Sequence, residues 1–478
     1  MALRGPETEI LDAAGLAVLP GVVDAHLHLT RLGLDLLRLQ LEHLDSYEEL
    51  VAKVAAFAHA STDAWILGGG WDQNLWSPRA FPTHQALSAA IGDRPVALWR
   101  VDRHAVLVNA RALAIAGVDR STPDPAGGRI LRDADGDPTG VFVDAAAALI
   151  QAKIPPPAHG TLVRATRAAI RECNRWGVTA VAEPGINDAA LAAHQDLIER
   201  GEYTIRNHAM LGDEPALVDA RLRGGIVDGA HGGRLWVRAV KMYADGALGS
   251  RGAALLAPYS DDPATSGFIL TSQAHVEDVT RRALRAGFQV CTHAIGDRAN
   301  RMVLDAYESV LRNVRVDDPR LRIEHAQVLS PSDIPRFARL GVIASVQAAQ
   351  QISDTAWAEE RLGPERMTGA YAWRWLLDAG TALANGTDAP VEPVNPARTF
   401  HAAISRADGQ SMTRSEALES ITIEAARANF QDGVIGSIAP GKYADFVILD
   451  RDWMSAPFDE LLPTKVLATY FGGRRVYG

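Results

Sequence analysis

A chain of 478 residues exceeds the ~250–300 residues that one compact core usually organises, so one large domain with insertions, or two to three domains, is expected. Hydrophobic residues make up 47% and charged residues 22%, a globular mix that excludes a disordered or collagen-like chain. Forty-eight lysines and arginines against 58 aspartates and glutamates leave a net charge of −10; this favours no nucleic-acid partner, and no run of ~18 apolar residues exists for a membrane span.

The N-terminus lacks the basic, apolar, small-residue order of a signal peptide. The two cysteines, Cys173 and Cys291, form no CxxC. A reducing cytoplasm is therefore the expected compartment.

In chain order, Pro20 and Gly21 punctuate the first strand signal, and Val22 opens a buried run that leads to His26 and His28. Residues 31–159 differ in character. Glycines, prolines and the acidic turn at 133–137 interrupt a few helices, so this stretch reads as an insertion subdomain near the active-site mouth. From about residue 160, helix and strand alternate. A helix at 161–176 stops at Gly177 before a strand at 178–183, and a helix at 188–200 stops at Gly201 before a strand at 203–211. After a further helix come a strand at 235–241, helix 275–286, strand 288–293, helix 298–314, strand 321–325, helix 330–340, strand 342–347, helix 371–379 and strand 381–388.

With the strand before His26 these are eight strands. Alternation implies parallel pairing, and eight units suffice to close a (β/α)8 TIM-type barrel. The competing open, doubly wound sheet lacks its GxGxxG fingerprint. A helix at 416–430 and short antiparallel strands within 436–450 and 465–477 form the tail. The expected fold class is α/β, with a barrel over 20–30 and 160–424, a large insertion over 31–159, and a small β-sandwich built from both termini, 1–19 and 425–478.

The strand ends carry the chemistry. The first leads to His26 and His28, the fourth ends in Lys241, the fifth in His293, the sixth in His325 and the eighth in Asp388. In a barrel all of these lie at the C-terminal mouth, where barrel enzymes place their sites. Strand alternation points His26 and His28 the same way, and turns Lys241 inward with Leu235, Val237 and Ala239. Each residue alone has a bland reading, since strand histidines are usually satisfied and lysines solvated. Four imidazoles and a carboxylate converging on one mouth suit Zn²⁺ or a similar divalent ion. An ammonium beside a cation would be repelled, but a desolvated lysine is nucleophilic. Addition of CO2 would make Lys241 a carbamate able to bridge two metals.

These motifs resemble the amidohydrolase superfamily, in the metal-dependent hydrolase branch of the N-substituted formamide deformylases (amidohydrolase family 3 type). The resemblance runs from about residue 19 to 450. It rests on Gly-Val-Val-Asp-Ala-His-Leu-His at 21–28, the Lys-Met-Tyr-Ala-Asp-Gly stretch from 241, His-Ala-Ile-Gly-Asp-Arg at 293–298, Arg-Ile-Glu-His-Ala-Gln at 322–327, Gly-Thr-Asp-Ala-Pro at 386–390 and Gly-Ser-Ile-Ala-Pro-Gly-Lys-Tyr-Ala-Asp at 436–445. It implies a mono- or binuclear divalent metal site, with zinc the first choice. His26 and His28 would hold one metal, His293 and His325 the second, and carboxylated Lys241 would bridge. Asp388 would touch the first metal and act as general base, then acid, towards a metal-activated hydroxide.

The expected activity is cleavage of a non-peptide carbon–nitrogen bond of the amide or formamide type in a small molecule. Deamination or ester hydrolysis on the same scaffold, or a non-catalytic regulatory homologue, are the alternatives. Candidates for substrate contact are Trp71, His104, Glu183, Arg251 and Gln347. Residues 347–351 lack the proline and histidine usual in the family, and Arg103 stands where a glycine is common. The 244–268 stretch is long for a βα loop and reads as a lid. Barrels of this size commonly pair, so the expectation allows for a homodimer.

Overall fold

The computed structural model describes residues 5–101, 105–125 and 127–478. Leu34–Ala165 forms one compact unit, and the remainder of the described chain forms the other.

The larger unit holds eight parallel strands: β1 (Val22–Asp24), β2 (Val178–Ile186), β3 (Arg206–Gly212), β4 (Leu235–Tyr243), β5 (Gln289–Ala294), β6 (Arg322–His325), β7 (Ile343–Val346) and β8 (Leu383–Asn385). They pair consecutively from β1 to β8. Ladder pairing stops there, but the backbone closes the ring at the C-terminal ends. Ala25 N–H donates to the Asn385 carbonyl at 3.2 Å, Asp388 N–H to that of His26 at 2.6 Å, and His28 N–H to that of Ala389 at 3.0 Å. This is the TIM-type barrel expected from the alternation. Val227–Gly229 adds a short antiparallel edge on β4.

The connecting helices begin and end where the sequence signals lie. Asn187 caps Asp188–Glu199 by accepting from Ala190 N–H, and Ser272 caps Gln273–Arg285 by accepting from His275 N–H. Gly341 ends Ile334–Leu340 in the left-handed region at φ 67°, which glycine enters without a Cβ penalty. The expected single helix at 416–430 is two, Arg414–Ser420 and Ile423–Ala428. Between β7 and the helix Trp373–Asp378, three short helices fill a stretch that the sequence reading left unassigned: Ala348–Asp354, Ala358–Leu362 and Pro364–Met367.

Both chain ends meet in one antiparallel sheet, ordered Ala17–Pro20, Phe446–Leu449, Val466–Phe471, Arg474–Tyr477. Among the described residues the terminal module is therefore this single four-stranded layer instead of the two layers of a sandwich. Arg206, at the start of β3, donates to both carboxylate oxygens of Asp445 at 2.6 and 2.9 Å, which ties the sheet to the barrel wall.

The smaller unit is more regular than its turn-rich sequence suggests. It is a six-stranded mixed sheet ordered Leu39–Gln40, Ile66–Trp71, Val96–Arg100, Ala105–Val108, Pro138–Asp144, Gly128–Arg132. Helices Tyr47–Ala60, His84–Ile91, Ala110–Ala116 and Ala147–Gln151 accompany it. One apolar cluster gathers Leu50, Val54, Ile66 and Leu98; a second gathers Ala97, Val106, Phe142 and Ile150. No helix among the described residues is long and apolar enough to cross a membrane.

Candidate metal centre

The seam between β1 and β8 positions the first histidines. The buried Asp24 carboxylate accepts from Thr387 Oγ at 2.6 Å, Thr387 N–H at 3.0 Å and His26 N–H at 3.1 Å. Gly386 lies so close that an added Cβ would stand 2.4 Å from His26 N and 2.7 Å from Asp24 Oδ1. Asp388 follows two residues later in the left-handed region, at φ 57°. Its Oδ1 is 3.2 Å from His28 Nε2 and 3.6 Å from His26 Nε2. One donor atom from each of His26, His28 and Asp388 lies within 4.8 Å of the others.

His325 and His293 complete the ring of imidazoles. The His325 centroid is 5.1 Å from that of His26 and 4.5 Å from that of His293. His325 has φ 74° and Ala326 has φ 44°, so β6 ends in a left-handed turn. Lys241 is fully buried, and its Nζ lies 4.6 Å from the Tyr243 ring centroid; that ring is 5.5 Å from His293. The six expected residues, His26, His28, Lys241, His293, His325 and Asp388, therefore gather at one mouth.

Burial pushes the His26 imidazole below its ordinary range, with Lys241 adding to it. Burial and Lys241 likewise push His293 down to about 3, and burial with His293 pushes His325 far below. The Lys241 amine is also lowered by burial, against the pull of Glu324 and Asp388. Burial works to raise the Asp388 carboxyl, but the His28 hydrogen bond and the His26 and His325 rings hold it well below the usual range. The site thus presents neutral imidazoles and an ionised carboxylate, the protonation states that metal ligands need. Lys241 Nζ, His293 Nε2 and His325 Nδ1 are buried with no hydrogen-bond partner. Orphaned buried donors and acceptors are costly, and a divalent cation fits this donor set.

Three supporting residues escaped the sequence reading. Glu324 Oε2 lies 2.5 Å from His26 Nδ1, and Arg322 donates to both Glu324 oxygens at 2.8 and 3.0 Å. Arg322 also donates to the Ala25 carbonyl at 2.6 Å, Asn429 Oδ1 at 2.8 Å and Ser345 Oγ at 2.9 Å. Gln350, on the helix after β7, donates to Asp388 Oδ2 at 3.0 Å.

The substrate candidates scatter. Gln347 is buried beside the centre and lines a small pocket with His325. Glu183 is taken up by its own partners, accepting from Thr30 N–H at 2.8 Å, Thr30 Oγ at 2.7 Å and Asn207 Nδ2 at 2.7 Å; it caps the helix that follows His28. Arg251 forks onto Asp261 at 3.2 and 2.8 Å, within a loop fixed at its base by Asp245. That buried carboxylate accepts from Ala254, Ile295 and Gly296 N–H at 2.8, 2.9 and 2.8 Å. Trp71 belongs to the smaller unit. It is fully buried in an apolar cluster of the smaller unit, and its Nε1 donates to the Leu98 carbonyl at 2.8 Å. His104 lies outside the described residues.

The amidohydrolase family pattern matches residues 9–477. The chain is 35% identical to YtcJ of Bacillus subtilis, over 99% of this chain and 91% of that one. It is 28% identical to N-substituted formamide deformylase of Arthrobacter pascens, over 98% of this chain and 90% of that one. It superposes with a TM-score of 0.81, at 30% identity, on the crystal structure of an uncharacterized metal-dependent hydrolase from Pyrococcus furiosus, covering 94% of this chain and 90% of the other.

Proposed function

This chain belongs to the amidohydrolase family and is a metal-dependent amidohydrolase, and from that premise we propose that it cleaves an amide or formamide-like bond of a small molecule at a divalent metal centre held by His26, His28, Lys241, His293, His325 and Asp388. The observation that carries this reading is the set of buried nitrogens without a hydrogen bond on Lys241, His293 and His325 beside the Asp388 carboxylate, with His293 Nε2 also 3.4 Å from Asp245 Oδ1.

Zinc suits a donor set of imidazoles and oxygens. His26 with His28, and His293 with His325, are the pairs for one ion or two. Burial lowers the Lys241 amine towards its neutral form; were its lone pair to add CO2, the new N–C bond would release a proton and leave a carbamate whose oxygens would serve as metal ligands. When bound, the metal polarises the scissile carbonyl and lowers the pKa of water towards neutrality.

The chain's own part in the reaction falls to Asp388. Its Oδ1 faces His28 and His26, and Gln350 fixes its Oδ2. Ionised at neutral pH, it accepts a proton from the attacking water as the new C–O bond forms. It then returns that proton to the leaving nitrogen as the C–N bond breaks.

Elemental analysis of purified protein, together with amine release from a panel of N-substituted formamides and amides, tests this. Metal-dependent amine release that is lost in Asp388→Asn is the expected result. Ammonia from a ring amidine, or turnover of esters alone, would move the assignment to the alternative reactions. Protein without bound metal, indifferent to added metal and inert on the whole panel, would overturn it.

A further inference from the structure

We infer that the centre carries, beside His325, a subsite for a substituent of about one non-hydrogen atom on the scissile carbonyl, with Gln347 as its hydrogen-bond acceptor. This rests on the amide-hydrolase reading above and narrows its substrate class.

The centre is unequally open. Tyr243 is 40% exposed and the His28 side chain 19%. By contrast His325 is 7%, Gln347 4%, Tyr371 3% and Trp373 2% exposed. Here lies a narrow pocket of about 10 Å³ lined by His325, Gln327, Val346, Gln347, Gln350, Tyr371 and Trp373, room for about one water-sized group; the Gln327 amide is turned to Asp354 and Tyr371 through its Nε2. The pocket adjoins the reacting groups, because Gln350 also donates to Asp388 Oδ2.

A carbonyl presented to Asp388 has two substituents and two directions in which to place them. The larger must leave past Tyr243 and His28. The smaller must enter the pocket, where hydrogen, NH2 or at most a methyl carbon fits and an ethyl group does not.

The chemistry of Gln347 separates NH2 from methyl. Its Nε2 donates to the Ser345 carbonyl at 3.2 Å, which fixes the orientation of the amide, since a flipped amide would set two acceptors against each other. Its Oε1 is buried and accepts no hydrogen bond. A ligand N–H satisfies that oxygen and a methyl group leaves it unpaired. Carbamoyl or primary-amide groups are therefore the class that both fits and pairs Gln347, formyl is admitted by size alone, and longer acyl groups are refused.

The test uses four derivatives of one amine, with metal-loaded protein: formanilide, phenylurea, acetanilide and propionanilide. Dissociation constants are measured by calorimetry and amine release in parallel. Formanilide and phenylurea are expected to bind at least tenfold tighter than propionanilide. Phenylurea, near-isosteric with acetanilide, should bind at least fivefold tighter than it, and that ratio should fall towards one in Gln347→Met. Propionanilide binding within threefold of formanilide, or no binding by any of the four, would overturn the subsite. An unchanged phenylurea-to-acetanilide ratio in folded Gln347→Met would overturn the role of Gln347. Binding in the expected order without cleavage of any of the four would support the subsite and count against the amide-hydrolase reading alone.

Discussion

Nδ1 of His26 lies 2.5 Å from Oε2 of Glu324, with both side chains sealed from solvent. The carboxylate accepts the Nδ1 proton, so the lone pair of His26 is on Nε2, the nitrogen facing Asp388. A carboxylate behind a ligating imidazole fixes its tautomer and raises its basicity. Glu324 is in turn held by Nε and Nη2 of the Arg322 guanidinium. In Glu324→Gln, the amide cannot accept from both neighbours. Metal affinity is expected to fall about 10- to 100-fold, measured as metal retained against graded chelator. The broken buried pair should cost about 3–5 kcal/mol of stability, read from the urea midpoint.

Lys241 yields a prediction that separates metal binding from carbamate formation. If its neutral amine adds CO2 before bridging, metal uptake by stripped protein should rise with bicarbonate and be slow in CO2-free buffer. Lys241→Ala leaves a buried gap where the bridge belongs. It should lose at least a hundredfold in kcat and recover part of it with short carboxylic acids such as acetate. Recovery by acetate in Lys241→Ala, with none in Asp388→Ala, is the distinguishing outcome.

The two oxygens of Asp388 predict a graded pair of effects. Asp388→Asn keeps the shape but cannot take a proton, so kcat should fall by about 10²–10⁴ with metal content little changed. Gln350→Ala removes only the hydrogen bond to Oδ2. A fall of about tenfold, in kcat more than in KM, is expected; restoration by Gln350→Asn would show that the side-chain amide, not packing, is responsible.

Why the barrel was legible while parts of the site were not follows from these same residues. Parallel strands buried on both faces read as apolar runs, and glycine-stopped helices between β2 and β8 marked their boundaries. The insertion lacks that rhythm: Leu39–Gln40 is two residues long, and its sheet joins strands that are not sequence neighbours, Ala105–Val108 to Pro138–Asp144. Strand parity also misleads at β6. Glu324 and His325 are adjacent and should face opposite ways, yet both meet His26, because the left-handed backbone at His325 and Ala326 re-aims the imidazole. Gln350 sits on a helix whose order comes from tertiary packing, and no periodicity marked it.

Gly386 is where fold and site share one constraint. Its missing Cβ makes room for His26 N and Asp24 Oδ1, at 2.4 and 2.7 Å from where that atom would lie. Backbone and a buried carboxylate cannot yield as a flexible side chain can, so Gly386→Ala must spread the seam between β1 and β8. A loss of at least about 1–3 kcal/mol is expected from overpacking, with reduced metal retention, because the same seam holds His26 and Asp388. Thermal unfolding and metal content should therefore fall together in this variant.

His208 provides a pH test away from the candidate ligands. It is fully buried on β3, its Nε2 lies 2.9 Å from Gln289 Oε1, and burial with the nearby Arg322 charge lowers its pKa to about 3. Unfolded, the imidazole titrates near 6.5. Between those values the unfolded chain binds a proton that the folded chain refuses, so stability rises with pH across the window and the penalty vanishes above about 6.5. The slope for one such group is about 1.4 kcal/mol per pH unit. Asp24 and Asp245, pushed up to about 7 mainly by burial, act in the opposite sense, because their folded carboxyls hold protons that the unfolded chain has released. The comparison that isolates His208 is therefore wild type against His208→Gln in metal-free protein, by urea denaturation from pH 7 to pH 4.5. Wild type should lose stability relative to the variant by about 1.4 kcal/mol for each unit below 6.5, and parallel curves would show that His208 is protonated inside the folded barrel.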